Sequence, residues 1–193
     1  ILADNTALTS LNLFDLPQVP SEQIATILAD HPALTSLQLD TLPELTELTL
    51  GSHTDLTKLF LGDMPHLTGL NLGTQTDLKF LALTELPQVP LVKITNILNS
   101  HKALQSLFLE GQALTSLNLE DHTALKGLFL EGLPELTSLT LAANADLTVI
   151  ELDDLQKLSK VSIGSILEAN KGLKCIDLAS LPQLNTLDLT ANT

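Results

Sequence analysis

The histidines, which could bind a metal or transfer a proton, stand at repeated positions of this sequence. The five are His31, His53, His66, His101 and His122. Two of them, His31 and His101, align with Asn170 in a third copy of the same segment. A second aligned set also mixes histidine with amide side chains: His53, Gln75, His122 and Asn144. Because an amide can hydrogen-bond but cannot relay a proton near neutral pH, this exchange predicts that the histidines hold turns rather than a metal or an acid-base pair.

The remaining reactive groups form no catalytic or metal-binding pattern. The single cysteine, Cys175, has no activating group near it in the sequence and permits no internal disulfide, which leaves the redox compartment open. The acidic residues lack the spacing of a calcium-binding loop, and no glycine-rich phosphate loop occurs. The sequence therefore predicts a protein that is not an enzyme and that needs neither cofactor nor metal.

The composition excludes several classes of protein. With 193 residues, of which 44% are hydrophobic, the chain can bury a sizeable core, so neither disorder nor a disulfide-stapled miniprotein is expected. Nine basic residues against 23 acidic ones give a net charge of -14, which disfavours binding to nucleic acids and to anionic membranes. No run of about eighteen apolar residues occurs, and the Ile1 start lacks a basic region followed by an apolar one, so neither a membrane span nor a signal peptide is predicted. A secreted or cell-surface location is slightly favoured over the cytoplasm.

Internal repetition is the strongest signal in the sequence. A six-residue unit, LxxLxL, occurs thirteen times, with apolar residues at its first, fourth and sixth places. The units begin at Leu8, Leu34, Leu45, Leu56, Leu67, Leu78, Leu104, Leu114, Leu125, Leu136, Leu147, Leu173 and Leu184. Most steps between units are 10 or 11 residues, but three are 26, which defines superrepeats at 14–83, 84–152 and 153–193, the last of them partial. This repetition predicts one solenoid domain over residues 1–193.

The repeat pattern also predicts where strands and helices lie. Each LxL segment alternates inward apolar and outward residues, as a strand buried on one face does. The three 26-residue steps align without a gap, and their apolar residues recur at helical spacing, which predicts helices at 20–31, 90–101 and 161–170. All other units are predicted to form parallel strands. The segment from Leu158 to Ile163 has the apolar pattern of a strand unit, but the same alignment predicts that it leads into the third helix.

The units resemble those of the leucine-rich repeat family over the whole chain. The longer coils, such as IATILADHPALTSLQL, look like the ribonuclease-inhibitor-like class, whose coils pair a strand with a helix. The shorter coils, such as ALTSLNLEDHTALKGLFL, resemble short bacterial repeats with nested strand units. The resemblance implies a right-handed α/β solenoid with an eight-stranded parallel sheet on one side and mixed strands with three short helices on the other. It also implies a protein-binding scaffold.

Successive units alternate between the two sides of the predicted solenoid. One side, face A, carries the eight strands whose units begin at Leu8, Leu34, Leu56, Leu78, Leu104, Leu125, Leu147 and Leu173. The other side, face B, carries the helices and the remaining strands. A helix is about 10 Å wide and neighbouring strands are about 4.8 Å apart, so face A is predicted to be mildly concave.

The outward positions of face A carry the chemistry that favours binding. Every phenylalanine of the chain lies on this face or directly follows its first strand, whereas the outward positions of face B hold none. Lysines line one margin and acidic residues the other, so an apolar centre with a polar rim is predicted to bind a protein. The predicted partner-binding residues are Phe60, Phe80, Phe108, Phe129, Lys58, Lys79, Lys126, Glu110 and Glu131.

Other interpretations stay open at this point. Neighbouring side chains could cover the rings, and the charges could serve solubility alone. A row of threonines on face B is typical of ice-binding solenoids, although helices interrupt it: Thr46, Thr68, Thr115 and Thr137. The chain could also be a structural segment of a longer surface protein, or a subunit that stacks end to end into a fibre, because no polar cap is recognisable.

Overall fold

The chain divides into two compact units, Ile1–His101 and Lys102–Thr193. The structure, a computed structural model, describes residues 7–73, 77–141 and 146–192. Within each unit, strands and helices follow one another in the order that the repeat pattern predicts.

The described part of the first unit contains six strands and two helices. In chain order they are β1 (Ser10–Phe14), α1 (Ser21–Asp30), β2 (Ser36–Asp40), β3 (Glu47–Thr49), β4 (Lys58–Gly62), β5 (Gly69–Asn71), β6 (Phe80–Thr84) and α2 (Leu91–Ser100). Strands β1, β2, β4 and β6 run parallel in that order and form face A of this unit. On face B, β3 and β5 pair in parallel, with α1 packed against β3 and α2 against β5.

The described part of the second unit contains six strands and one helix. In chain order they are β7 (Ser106–Glu110), β8 (Ser116–Leu119), β9 (Gly127–Glu131), β10 (Ser138–Leu141), β11 (Val149–Asp153), α3 (Lys160–Ala169) and β12 (Cys175–Ala179). Strands β7, β9, β11 and β12 run parallel in that order and form face A of this unit. On face B, β8 pairs with β10, which contacts α3. With four face A strands in each unit and three short helices, the predicted α/β solenoid fold class is confirmed.

Leucines of the six-residue repeats fill the core of each of the two compact units. In β2, Leu37 and Leu39 point inward and are 1% and 0% exposed, whereas Ser36 and Gln38, which alternate with them, are only half-buried. This alternation arises because successive side chains of a strand point to opposite sides of the sheet. Burying a leucine side chain contributes about 2 kcal/mol, so repeated leucines hold neighbouring coils together.

Threonine hydroxyls add a second link between neighbouring coils. On face A, the Thr57 hydroxyl donates to the Thr35 carbonyl oxygen, 22 residues earlier, at 3.0 Å. On face B, the Thr137 hydroxyl donates to the Thr115 carbonyl oxygen, also 22 residues earlier, at 3.0 Å. A full coil of 22 residues therefore carries one strand on each face.

The three helices lie where the gapless alignment predicts them. Helices α1 and α2 directly follow Pro20 and Pro90, whose missing N–H costs nothing at a helix start. Helix α3 has no such proline, and Ser159 caps it by accepting a hydrogen bond from the Ser162 N–H at 3.2 Å. Leu158 is fully buried and belongs to no strand, so the predicted exclusion of its segment from the sheet is confirmed. Among the described residues, none of the helices has the length and apolar character needed to cross a bilayer.

The last repeat unit differs from the prediction. The unit that begins at Leu184 is predicted to form a strand, but its described residues form none, so the prediction is wrong here. The segment shares a cleft with Ile163 and Leu167 of α3. Strands β3, β5 and β10 also lie beside helices, but each is hydrogen-bonded to a second strand, whereas this segment pairs with none among the described residues. Leu187 and Leu189 consequently stay 51% and 39% exposed.

Each strand of face A is followed by a residue with a left-handed backbone. These eight residues, with φ between 46° and 74°, are Asp15, Thr41, Asp63, Glu85, Gly111, Gly132, Asp154 and Ser180. A left-handed backbone crowds Cβ against a neighbouring carbonyl, so glycine fits best and a β-branched residue fits worst. Two of the eight are glycines, and Thr41 is the β-branched member of the set. The turn at Thr41 is therefore the most strained of the eight.

Replacing Thr41 by glycine is expected to raise the free energy of unfolding by about 1 kcal/mol, because the strain of the left-handed backbone disappears. The reverse change at an equivalent turn, Gly132→Ala, is the matched control. A Cβ added to Gly132 would meet nothing closer than a backbone nitrogen at 3.9 Å, so backbone strain alone should lower the free energy of unfolding by about 1 kcal/mol. Urea unfolding measures both changes, and a Thr41→Gly chain less stable than the original would contradict the account.

Candidate functional site

The histidines serve as hydrogen-bonding side chains of the coils. His31, His101 and Asn170 each bond the carbonyl oxygen four residues earlier, with N···O distances of 2.6, 2.6 and 2.8 Å. The Nε2 atom of His53 lies 3.1 Å from a carbonyl oxygen of the preceding coil, to which it donates. The predicted use in hydrogen bonding is confirmed for His31, His53 and His101, and Asn170 bonds in the same way as its two aligned histidines. The aligned turn residues Gln75 and Asn144 lie outside the described residues.

The described residues offer little to a catalytic mechanism. No group of three or more His, Cys, Asp or Glu side chains among them is placed to hold a metal ion. Cys175 is exposed on β12. In a cleft of about 210 Å³ beside α1, the Ser52 hydroxyl lies 3.3 Å from Nδ1 of His53, but this imidazole is only 1% exposed and its other nitrogen is bonded to the backbone. It is therefore poorly placed to exchange a proton with a substrate.

In the first unit, face A places one predicted phenylalanine beside a predicted lysine. The parallel register sets Phe80 of β6 directly beside Lys58 of β4, and Phe60 of β4 beside Ala82. Both rings are half-buried. The Phe60 ring lies over Gly62, where an added Cβ would be 2.8 Å from the ring atom Cε1.

In the second unit, face A brings two predicted phenylalanines into contact. The register sets Phe108 of β7 directly beside Phe129 of β9. Their ring centroids are 6.2 Å apart and their planes differ by 27°, which is a stacked arrangement. The Phe129 ring lies over Gly127, where an added Cβ would be 2.9 Å from the ring atom Cε2. Both rings are half-buried, so part of each stays open to solvent.

Two glycines determine how the rings of Phe60 and Phe129 lie. Neither glycine is among the predicted binding residues. Gly62 and Gly127 sit two residues from Phe60 and Phe129 on the same strands, and each leaves room for the ring to lie along the sheet. The sequence does hold a signal for them, because glycine inside a strand often marks a close approach by another group. The aromatic surface is therefore flat and partly buried rather than projecting.

The predicted charged residues occupy opposite ends of the face A strands. Lys58 begins β4, and Lys79 and Lys126 directly precede β6 and β9; of the three, only Lys79 is half-buried and the others are exposed. Glu110 and Glu131 end β7 and β9 and stand side by side in the register. The lysines and the glutamates therefore stay apart on this face, as the sequence predicts.

The chain has limited similarity to known proteins. No protein-family model matches it, and neither does any curated protein. Among solved structures, it is similar to a crystal structure of an internalin from Listeria monocytogenes, with 16% sequence identity and a TM-score of 0.25, over 96% of this chain and 84% of that one. Similarity at this level does not bear on function. The parallel strands and their leucine cores themselves fit the leucine-rich repeat fold that the sequence predicts.

Proposed function

We propose that the chain is a non-enzymatic scaffold that binds a protein partner through face A. The stacked pair Phe108 and Phe129 carries this proposal, because it presents two half-exposed rings side by side on neighbouring parallel strands. Aromatic anchors supply much of the energy of protein interfaces, and anchors already held in place lose little entropy on binding. The proposed contact residues are Phe60, Phe80, Lys58 and Lys79 in the first unit, and Phe108, Phe129, Lys126, Glu110 and Glu131 in the second.

Face B supports this choice by contrast. Exposed outward side chains of its strands are polar, for example Glu47, Thr49 and Asn71 in the first unit and Ser116 and Asn118 in the second. Polar side chains of this kind keep a leucine-rich chain in solution, whereas half-exposed aromatic rings reduce solubility unless a partner covers them. The one-sided distribution of aromatic rings therefore favours face A as the binding surface.

Selection of short peptides from a random displayed library against the full chain tests the proposal. The selected peptides are expected to lose most of their affinity for Phe108→Ala and to keep it for Asn118→Ala, which truncates an exposed side chain of β8 on face B. Thermal unfolding of both variants shows whether the fold is intact. Selected peptides that bind the two variants equally well would overturn the proposal.

A second candidate function, end-to-end stacking of copies into a fibre, draws support from the segment that follows β12. This segment exposes Leu187 and Leu189, and its described residues form no strand. Extended segments without strand partners and exposed leucines associate readily with another chain. A second copy of the chain would be the partner in this case.

If copies stack in this way, the average mass in sedimentation should rise with concentration. The double change Leu187→Ser and Leu189→Ser is expected to weaken the association about thirtyfold, since each leucine buried in a contact contributes about 1 kcal/mol. Leu91→Ser removes a comparably exposed leucine from α2 and should have no effect. A chain that sediments as a monomer at every concentration contradicts stacking.

A further inference from the structure

Two lysines stand beside a phenylalanine on face A of the first unit, at the end where the strands begin. The register sets Lys58 of β4 directly beside Phe80 of β6. Lys79 directly precedes Phe80 and donates its backbone N–H to the Thr57 carbonyl oxygen, so it lies diagonally beside Lys58. Strands lie about 4.8 Å apart and rise about 3.3 Å per residue, so the Cα atoms of the two lysines are about 6 Å apart. This end of the face therefore carries two positive charges next to an aromatic ring.

An apolar surface adjoins the two lysines. Ala82 lies on the outer side of the sheet between two rings: Phe60 is its partner in the register, and Phe80 comes two residues before it on the same strand. Ala82 is only 1% exposed, although Leu81 and Leu83, which alternate with it, are the residues that point into the core. Neighbouring side chains therefore cover Ala82, and the half-buried rings form the part of this surface that a partner can contact.

The surroundings of the two lysines hold no paired counter-charge. Two of the three lysines of the first unit stand here, in a chain with a net charge of -14. The first two outward residues of each of the four strands include no carboxylate: Ser10, Asn12, Ser36, Gln38, Lys58, Phe60, Phe80 and Ala82. Asp55 and Asp77 lie in the turns before β4 and β6, but no ion pair joins them to either lysine within the described residues. The two ammonium groups repel each other at this spacing, so they would attract a carboxylate from another molecule.

We propose that this group, the lysine site (Lys58, Phe60, Lys79 and Phe80), binds an acidic side chain of the partner together with an apolar side chain next to it. The inference rests on the proposed function of face A and deepens it, because it names the partner's chemistry: an extended segment in which an apolar and an acidic residue are two positions apart. The apolar side chain packs on the two rings, and the carboxylate accepts hydrogen bonds from the ammonium groups.

The spacing of the site suits an extended segment. Residues two positions apart on a strand point to the same side and lie about 6.6 Å apart. Lys58 and Phe60 have this spacing on β4, so a segment that lies along β4 can place an apolar side chain on the ring and a carboxylate near the ammonium group. Charge sets the direction of the segment, because the exposed Asp63 directly follows β4, roughly 16 Å along the strand from Lys58, and would repel a carboxylate at that end.

Titration of the full chain with short synthetic peptides, followed by NMR, tests the site. The peptides have the sequence Ser-Phe-Ser-Glu-Ser with blocked termini, or carry glutamine or lysine in place of the glutamate. At about 0.01 M salt, the glutamate peptide is expected to shift backbone signals of β4 and β6 and to bind about tenfold more tightly than the glutamine peptide. Because salt screens exposed charges, this preference should largely disappear at about 1 M salt. The lysine peptide should bind more weakly than the glutamine peptide.

Three variants locate the effect. Lys58→Gln combined with Lys79→Gln removes both charges and should abolish the preference for glutamate, while the glutamine peptide binds as before. Phe80→Ala removes one ring and should weaken the binding of both peptides by a similar factor. Lys93→Gln removes the third lysine of the first unit, which lies in α2 on face B, and should change the preference by less than about twofold. Thermal unfolding of each variant separates lost binding from lost folding.

The failure of this inference can be told apart from the failure of the scaffold proposal. Equal affinity for the glutamate and glutamine peptides at low salt, or a preference that survives the double lysine change, would overturn the lysine site. Library-selected peptides that depend on Phe108 would then still support a protein-binding face A. Library-selected peptides that ignore Phe108 would contradict the scaffold itself, whatever the glutamate peptide does.

Discussion

Replacing Gln112 by leucine is expected to raise the free energy of unfolding by about 2 kcal/mol. Gln112 is 2% exposed, and within the described part of the chain neither its amide nitrogen nor its amide oxygen has a hydrogen-bond partner. A buried polar group without a partner costs about 1 to 3 kcal/mol, and a leucine side chain there would add favourable burial. The equivalent positions of other coils show that an apolar side chain fits, since they hold Leu42, Met64, Leu86, Leu133 and Leu155, each at most 1% exposed.

Urea unfolding of Gln112→Leu beside Gln183→Leu gives a matched comparison. Gln183 is an exposed amide in a later turn, so its replacement should change the free energy of unfolding by less than about 0.5 kcal/mol. The gain at Gln112 should appear as a higher midpoint with an unchanged slope against urea. A Gln112→Leu chain less stable than the original would mean that its amide does stabilise the folded state, contrary to this account.

Phe108→Ala and Phe129→Ala are each expected to weaken partner binding by about 2 kcal/mol, roughly thirtyfold. Each change removes one ring of the stack and leaves the other without its aromatic neighbour. Because both rings are half-buried, each change should also lower the free energy of unfolding by about 1 kcal/mol. Calorimetric titration with library-selected peptides, well below the unfolding temperature, measures the effect on binding.

The controls for these two variants lie on face B. Thr49→Ala and Asn118→Ala truncate exposed side chains of β3 and β8 and should change binding and stability by less than about 0.5 kcal/mol. Thermal unfolding must accompany the titrations, because an unfolded variant would also fail to bind. If the face B variants abolish binding and the phenylalanine variants do not, the proposed surface is wrong.

Helix positions and strand register could be predicted because they depend on spacing along the chain. The apolar residues Ile24, Ile94 and Ile163 fall at the same place in three aligned segments, and all three are buried in helices. The same alignment correctly separates the buried Leu158 from the strand units, although its local pattern matches theirs. Repetition thus supplies long-range information that a single segment lacks.

Features that depend on what lies beside a residue could not be predicted in this way. The unit at Leu184 has the strand pattern, but unlike β3 and β10, which also lie beside helices, it pairs with no strand among the described residues. The orientation of the Phe129 ring depends on the empty space over Gly127. Gln112 lies just before the point where its repeat is one residue short, in the step of 10 residues from Leu104 to Leu114, and occupies an apolar position in the core.

The threonine links between coils limit how the chain can change in length. In coils without a helix they join residues 22 positions apart on both faces, as Thr57 to Thr35 and Thr137 to Thr115 do. After a duplication or loss of 22 residues, every later strand would still lie on its original face. Only the number of coils would change. A change of 11 residues, the spacing of a single unit, would transfer every later unit to the opposite face, so that Phe129 would leave the aromatic side. Unequal recombination in such a gene should therefore preserve binding only when it adds or removes whole coils.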